Sequence, residues 1–426
     1  MGVIGHQLLR RGATLIAFAL AMLCASPAAA ASDLDLLSAD TLEIYGDVRL
    51  VAADGETSWT DGGLGKLRSG GNAGKLSVGP QLGNVSLVWQ PQFTWSLSAT
   101  VVGTLQGGER TEAGLSEAFL TFKPMRGSGV AFSARAGLMW PPVSLEHHGA
   151  AWQVRDSITP SAINSWIGEE VRPLAIEGTL AAEIGQHKLR ATAAVMAAND
   201  TAGTLLTFRG WALHDRTTLA FRRQRLPPPP LRYQPPYTHP LIDLGDGFAR
   251  RPGYYAKLSW QPPLPIRVEL FRYDNRAEPE DVNSDHEWGW RTQFNHLGIS
   301  ADLGSGTSLK VQALSGRTRM GFELRGARFA DTRYRSAFVL LSRPVGPFGL
   351  TARLDAFDTR NRGSLARSEY DETGWSGMIA GSRTWGEFTG LVELLHVASN
   401  REQRESLGLA PDQRQTQIQA VMRVHW

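Results

Sequence analysis

The chain has 426 residues, of which 20% are charged and 9% aromatic, with 45 glycines and 23 prolines, which excludes a charged disordered chain and a collagen-like repeat. Its formal charge is +3, and its one cysteine, Cys24, lies in a leader-like segment. That excludes a disulfide scaffold, a Cys-ligated metal site and a cysteine nucleophile.

Residues 1–31 have the three parts of a secretory signal peptide. Arg10 and Arg11 are followed by an uncharged apolar run over 13–24 (ATLIAFALAMLC), then by the small residues of 26–31 (SPAAAA), with cleavage expected after Ala30 or Ala31. Removing the two arginines leaves a nearly neutral mature chain, which argues against a nucleic-acid partner, because phosphate tracking needs a clustered basic surface. Past the leader no run of about 18 apolar residues occurs, so no transmembrane helix is predicted. Crossing an outer membrane needs only strands of about 9–11 residues, apolar outside and polar inside.

Strand-like alternation begins at 42–50 and returns at 76–89, 92–105, 115–122, 130–140, 174–184 and 189–195. It continues through 204–213, 254–260, 266–271, 290–301, 309–314, 334–340, 350–356, 375–379, 388–394 and 416–426. Segment 92–105 alternates through Phe93, Trp95, Leu97, Ala99, Val101 and Leu105. In the last segment (TQIQAVMRVHW) Ile418, Ala420, Met422, Val424 and Trp426 share one face, and only Val421 breaks the polarity. These are about 17 candidates, and a closed single-chain barrel of this class needs an even number, so one is a loop or a split strand and about 16 strands are expected. The predicted fold is an all-β transmembrane antiparallel β-barrel in one domain, 32–426.

The connections fall into two classes, as the turns and loops of such a barrel do. Tight joints such as Gly185-Gln186 and 344–347 contrast with long polar stretches at 54–74, 141–173, 222–253, 274–287, 360–373 and 400–413. Short periplasmic turns and long extracellular loops are therefore expected. Pro227 to Pro230 make 222–253 an irregular Pro-rich loop, since consecutive prolines remove ladder donors. Trp89, Trp140, Trp211, Trp260, Trp288, Trp290, Trp385, Tyr45, Tyr254 and Tyr255 sit near strand ends, where interfacial aromatic girdles are expected.

Catalytic patterns are thin. Ser144, Glu146, His147 and His148 gather within five residues, yet no metalloprotease helix, nucleophile elbow or phosphate loop occurs. No enzyme activity, cofactor or metal is expected. Of the 44 basic residues 38 are arginine, among them Arg49, Arg135, Arg190, Arg209, Arg267, Arg272, Arg291, Arg317, Arg335, Arg353 and Arg383. A lipid-facing Arg costs about 2–4 kcal/mol at mid-bilayer, so these side chains are expected to line the lumen and to favour anions.

With its leader, the opening strand 41–50 (TLEIYGDVRL), the passage 135–149 (RAGLMWPPVSLEHHG) and a terminal strand ending on Trp426, the sequence resembles the Gram-negative porin superfamily, and more loosely its phosphate-selective group. The resemblance implies a porin in the outer membrane, surrounded by its lipid, that passes small hydrophilic solutes by diffusion. It implies that loop 141–173 folds inward as a constriction, with Arg135, Glu146, His147, His148, Arg155, Asp156, Glu169, Glu170 and Arg172 as pore-lining candidates. It also implies that Trp426 is part of a signal read by the barrel-assembly machinery, and that the protein is a homotrimer. Two other readings stand beside it: an outer-membrane barrel lipid hydrolase, and a secreted or periplasmic all-β binding protein.

Overall fold

A computed structural model describes residues 36–71, 75–107, 112–124, 129–227, 234–244, 251–364 and 370–426. The leader expected over 1–31 and Pro228 to Pro230 of the Pro-rich loop lie outside the described residues. Sixteen strands form one closed barrel. The first seven are β1 (Leu42–Ala53), β2 (Ser77–Trp89), β3 (Leu97–Gln106), β4 (Glu112–Phe122), β5 (Val130–Leu138), β6 (Leu174–Ile184) and β7 (His187–Ala197). After a long insertion follow β8 (Gly253–Gln261), β9 (Ile266–Asp274), β10 (Arg291–Asp302), β11 (Ser308–Leu324) and β12 (Ala327–Val345). The last four are β13 (Phe348–Asn361), β14 (Glu372–Trp385), β15 (Phe388–Arg401) and β16 (Asp412–His425). Each pairs antiparallel with its chain neighbours, and β1 closes on β16 from Tyr45–His425 to Ala53–Gln417. Closure leaves no sheet edge, which a bilayer requires because it cannot satisfy unpaired backbone groups.

The period of two explains which residues point where. Along β16, Gln413, Gln415, Gln417 and Gln419 are buried inside, while Ile418 and Met422 are exposed on the outer face. Val421 interrupts the polar inner face because it packs against Leu391 and against Ile158 of an inserted loop. Trp426 stays outside the ladder's last pair but exchanges backbone hydrogen bonds with Ile44 at 2.6 and 3.0 Å.

The surplus candidate strand was 204–213. It is not in the barrel: Thr204–Phe208 form a short helix inside the lumen. Gly203 and Gly210 bound it with positive φ, and its apolar side chains bury against the barrel wall and a neighbouring loop, which overrides the strand-like spacing.

All the long insertions lie at one rim; the other rim has only short joints. Gly185-Gln186 and Gly346-Pro347 turn with Gly185 and Gly346 at φ of 60° and 58°, a region L side chains rarely adopt. The opposite rim carries, in chain order, the connections 54–76, 107–111, 139–173, 198–252, 275–290, 325–326, 362–371 and 402–411, of which 107–111 and 325–326 are short. Among the described residues no helix is long and apolar enough to cross a membrane. The strands carry instead an exposed apolar belt that includes Leu50, Leu180, Leu258, Leu297, Val339, Leu354, Ile379 and Val392.

Two expectations about side-chain placement are corrected. Trp260 and Trp385 do lie exposed at the short-turn rim, joined there by Phe132, Phe348, Phe388 and Trp426. Trp140, Trp211, Trp290 and Tyr255 are instead buried inside the barrel, where inserted loops supply apolar partners. Arginine placement also differs from expectation. Arg49, Arg135, Arg190, Arg267 and Arg353 point inward and Arg209 sits in an inserted loop, but Arg272, Arg291, Arg317, Arg335 and Arg383 share the register of the outer face. The bilayer penalty is depth-dependent and falls to about 0–1 kcal/mol near the interfaces; Arg272, Arg291 and Arg383 lie within two residues of a strand end, and Arg317 and Arg335 lie on the loop side of the apolar belt in the long β11–β12 hairpin.

Candidate channel and its constriction

The third loop, 139–173, turns into the barrel immediately after β5. Its first turn is built on Ser144, whose hydroxyl accepts from the backbone N–H of Glu146 and of His147 and hydrogen-bonds His147 Nδ1 at 2.7 Å. These contacts make Ser144 a turn former. A two-residue ladder, His147–His148 with Gln153–Val154, follows, and His147 stacks on Trp152, which stacks on Trp140.

The loop then forms helix α1 (Ala162–Glu170), with every residue buried. Ser161 caps it, accepting from the N–H of Asn164, as its residue type at a helix start favours. Glu146 reaches the same end: it accepts from Ser161 N–H at 3.0 Å and from the Asn164 amide, and pairs with Arg353 at 3.0 Å. Arg353, on β13, also pairs with Asp355 at 2.9 Å and donates to the carbonyls of Thr159 and Pro160. From β15, Glu393 accepts the N–H groups of Ile158 and Thr159 at 2.7 and 3.0 Å. The loop that leaves the wall at β5 is thus tethered to β13 and β15 by charge-assisted hydrogen bonds, the strong class.

The fourth loop, 198–252, enters behind it. It carries α2 (Thr204–Phe208) and an extended run over 211–220 that hydrogen-bonds to the first loop, to α1 and to β4 through Leu213 N–H to Lys66, Thr218 N–H to Gly168 and Ala220 N–H to Leu115. The two inserts meet across an apolar core. Trp166 of α1 stands edge-on to Trp211, Phe294 and Tyr334 at 6.0, 5.5 and 5.3 Å, and Ile163, Ile167, Leu206 and Phe338 join them. Burying each large side chain there contributes on the order of 2 kcal/mol.

Around this core most charges are paired. Glu169 meets Arg209 at 2.7 Å and His214 at 3.1 Å; burial opposes ionisation, but these two partners draw its pKa down to about 2. Glu170 accepts from Trp166 Nε1, Gly203 N–H and Leu205 N–H, and burial pushes it up to about 7 against those bonds. Asp215, although buried, is held well below the usual carboxylate range by Arg49 and Arg68. Burial pushes the Lys66 ammonium down to about 8, with its partner Glu372 opposing.

Toward the short-turn rim the inserts end and the lumen opens into a polar vestibule of about 870 Å³ between β4 and β9. Arg135 lines it, forked to Glu177 at 2.8 and 2.9 Å, and Lys257 pairs there with Glu269 at 2.7 Å. Lys123, Lys188, Arg190 and Arg267 line the same space and have no ion pair among the described residues.

The nine candidate side chains are therefore not brought together at one opening. Arg135 faces the vestibule. Arg155 is exposed and Asp156 pairs with Lys310 at 3.1 Å. His148 is exposed beside Lys310, and burial followed by that charge lowers its pKa. His147 lies under Trp152. Glu146, Glu169, Glu170 and Arg172 are fully buried; Arg172 donates to the carbonyls of Ser116 and Thr218 and lies over the Trp140 ring. The sequence reading missed the fourth loop's inward course and the vestibule lysines. The 55-residue gap between β7 and β8, holding an apolar stretch flanked by glycines, is the signal that pointed to the first.

No family model and no curated protein sequence matches the chain. Among solved structures it is similar to the outer-membrane channel DcaP of Acinetobacter baumannii, at 10% identity and a TM-score of 0.55, and to an anion-selective porin from Comamonas acidovorans, at 11% and 0.51. Each likeness covers 91% of this chain and 99% of the other. The fold is that of the 16-stranded outer-membrane porin barrels.

Proposed function

We propose that the protein is an outer-membrane porin, a water-filled channel for passive diffusion of small hydrophilic solutes, with a preference for anions set in the vestibule. The observation that carries this is the charge balance of that space: four cationic side chains with no ion pair among the described residues, Lys123, Lys188, Arg190 and Arg267, against one such carboxylate, Glu183, which stands opposite Lys188. Rings of basic side chains in a water-filled passage raise the local anion concentration. The inserted loops supply the element that limits solute size. The Comamonas porin of the same fold is described as anion-selective, which agrees with this reading.

The Ser144 hydroxyl hydrogen-bonds His147, but it also accepts from two backbone N–H groups, and among the described residues no carboxylate hydrogen-bonds the imidazole, so the arrangement shapes the loop and does not support the hydrolase reading. Planar-bilayer recording of the refolded protein tests the proposal: discrete conductance steps with anion preference support it, and a folded protein that conducts nothing removes it. Trimerisation belongs to the same reading and is checked by the native mass of the detergent-solubilised protein.

A further inference from the structure

The exterior of β9 to β13 departs from the apolar belt at the long-loop end. Antiparallel pairing puts residues directly opposite one another on the same face, and the register sets Arg317, Arg333 and Arg360 in one row across three adjacent strands. The next row toward the loops sets Arg291 opposite Arg319, and Arg272 and Arg335 flank these rows. Like charges directly opposite are destabilising, so such rows call for anions.

The protein supplies only part of that charge. Asp331 pairs with Arg317, Asp274 with Arg291 at 3.4 Å, Asp358 with Arg335 at 3.0 Å and Asp371 with Arg360 at 3.5 Å. Arg333 is exposed and has no hydrogen bond or ion pair among the described residues. The Nε of Arg319 is buried without a partner. Seven guanidinium groups thus share four carboxylates.

Their depth is set by the strands themselves. One outward step below the patch the side chains become apolar, with Leu270, Leu297, Ala313, Ala337 and Ala356. On β12 the next outward arginine after Arg335 is Arg343 at the opposite end, eight residues away, about 26 Å along the strand and about 20 Å along the axis of a barrel tilted by about 40°. The patch therefore lies where lipid headgroups meet the acyl chains. Guanidinium forks match phosphate oxygens bidentately.

We propose that this face binds phosphorylated headgroups of lipids in the leaflet next to the long loops. The inference rests on the barrel spanning a bilayer and not on its conducting. Native mass spectrometry of the full-length protein in detergent tests it, with diphosphoryl lipid A, the same lipid dephosphorylated, and inorganic phosphate as separate probes. The diphosphoryl lipid is expected to bind about 10-fold or more tightly than its dephosphorylated form, with free phosphate giving no adduct, because the headgroup charge and the acyl chains act together. The triple variant Arg317→Gln, Arg333→Gln, Arg360→Gln should lose that advantage while keeping heat-modifiable migration, the sign of a folded barrel. Arg333→Gln alone breaks no ion pair and should weaken binding about 3-fold, within the range of one exposed charge contact. Equal binding of both lipids, an unchanged triple variant, equal binding of free phosphate, or an oligomer that the triple variant dissolves without any lipid adduct would each overturn the proposal, the last in favour of contact between copies of the chain.

Discussion

The two halves of the barrel interior are lined by the same strands on the same period of two, yet they differ in what covers them. In the half next to the long loops, the third and fourth loops bring Trp166, Trp211 and Leu206 against Phe294, Tyr334 and Phe338, and buried charges such as Glu169 and Arg353 find partners. In the half next to the short turns, along β4 to β9, the third loop reaches only as far as Pro142, and Lys123, Lys188, Arg190 and Arg267 face open space. The difference teaches that an inward-facing charge in such a barrel is left free to meet solutes, as the proposed function requires, only where no loop reaches it; where a loop does, the same charge becomes its anchor.

The strongest way to break that contrast is to release the third loop. Arg353→Ala leaves Glu146 and Asp355 buried without their shared partner, and removing one member of such a buried cluster costs about 3–5 kcal/mol. Denaturant midpoint should fall and single-channel conductance should rise; unchanged conductance would mean that the loop does not restrict the lumen. Trp166→Ala removes the centre of the apolar core and should cost about 3–5 kcal/mol as well, read by the same two measurements, with the strand content seen by circular dichroism retained.

The next effect is on pH. Glu170 has a folded pKa of about 7, above its ordinary value of 4.5, so its contribution to holding the two inserted loops together is complete below about 4.5 and lost as pH rises through about 7, worth on the order of 3 kcal/mol by linkage. Glu169 beside it stays charged across that window. Wild-type channels should therefore show more frequent openings at pH 8 than at pH 6, and Glu170→Gln should abolish the difference; a pH response that survives the substitution assigns it to another group. The smallest structural effect belongs to the vestibule, where Arg190→Gln with Arg267→Gln touches no ion pair and should leave stability within about 0.5 kcal/mol while lowering the anion-to-cation permeability ratio.

Much of the fold was legible from alternation alone. Thr416 to Trp426 displayed both faces of β16, and the joint at Gly185-Gln186 displayed the turn between β6 and β7, because a half-buried strand and a tight turn each leave a local mark. The inserted loops were less legible. The stretch 204–213 alternates as a strand would, and only its contact with α1 and the barrel wall makes part of it a helix. The site was legible least: Glu146 and Glu169 are polar loop residues in sequence, and their burial depends on Arg353 and Arg209, which lie 207 and 40 residues away. The outward arginines were misplaced for a similar reason, since residue type tells the expense of a charge at mid-bilayer but not the height of a strand end.

Reversal potential in a single-channel recording under a salt gradient tests the central claim most directly. Discrete conductance is expected, with a reversal potential on the anion side that moves toward zero in the Arg190→Gln, Arg267→Gln variant. A reversal potential on the cation side, or one that the variant leaves in place, would contradict it.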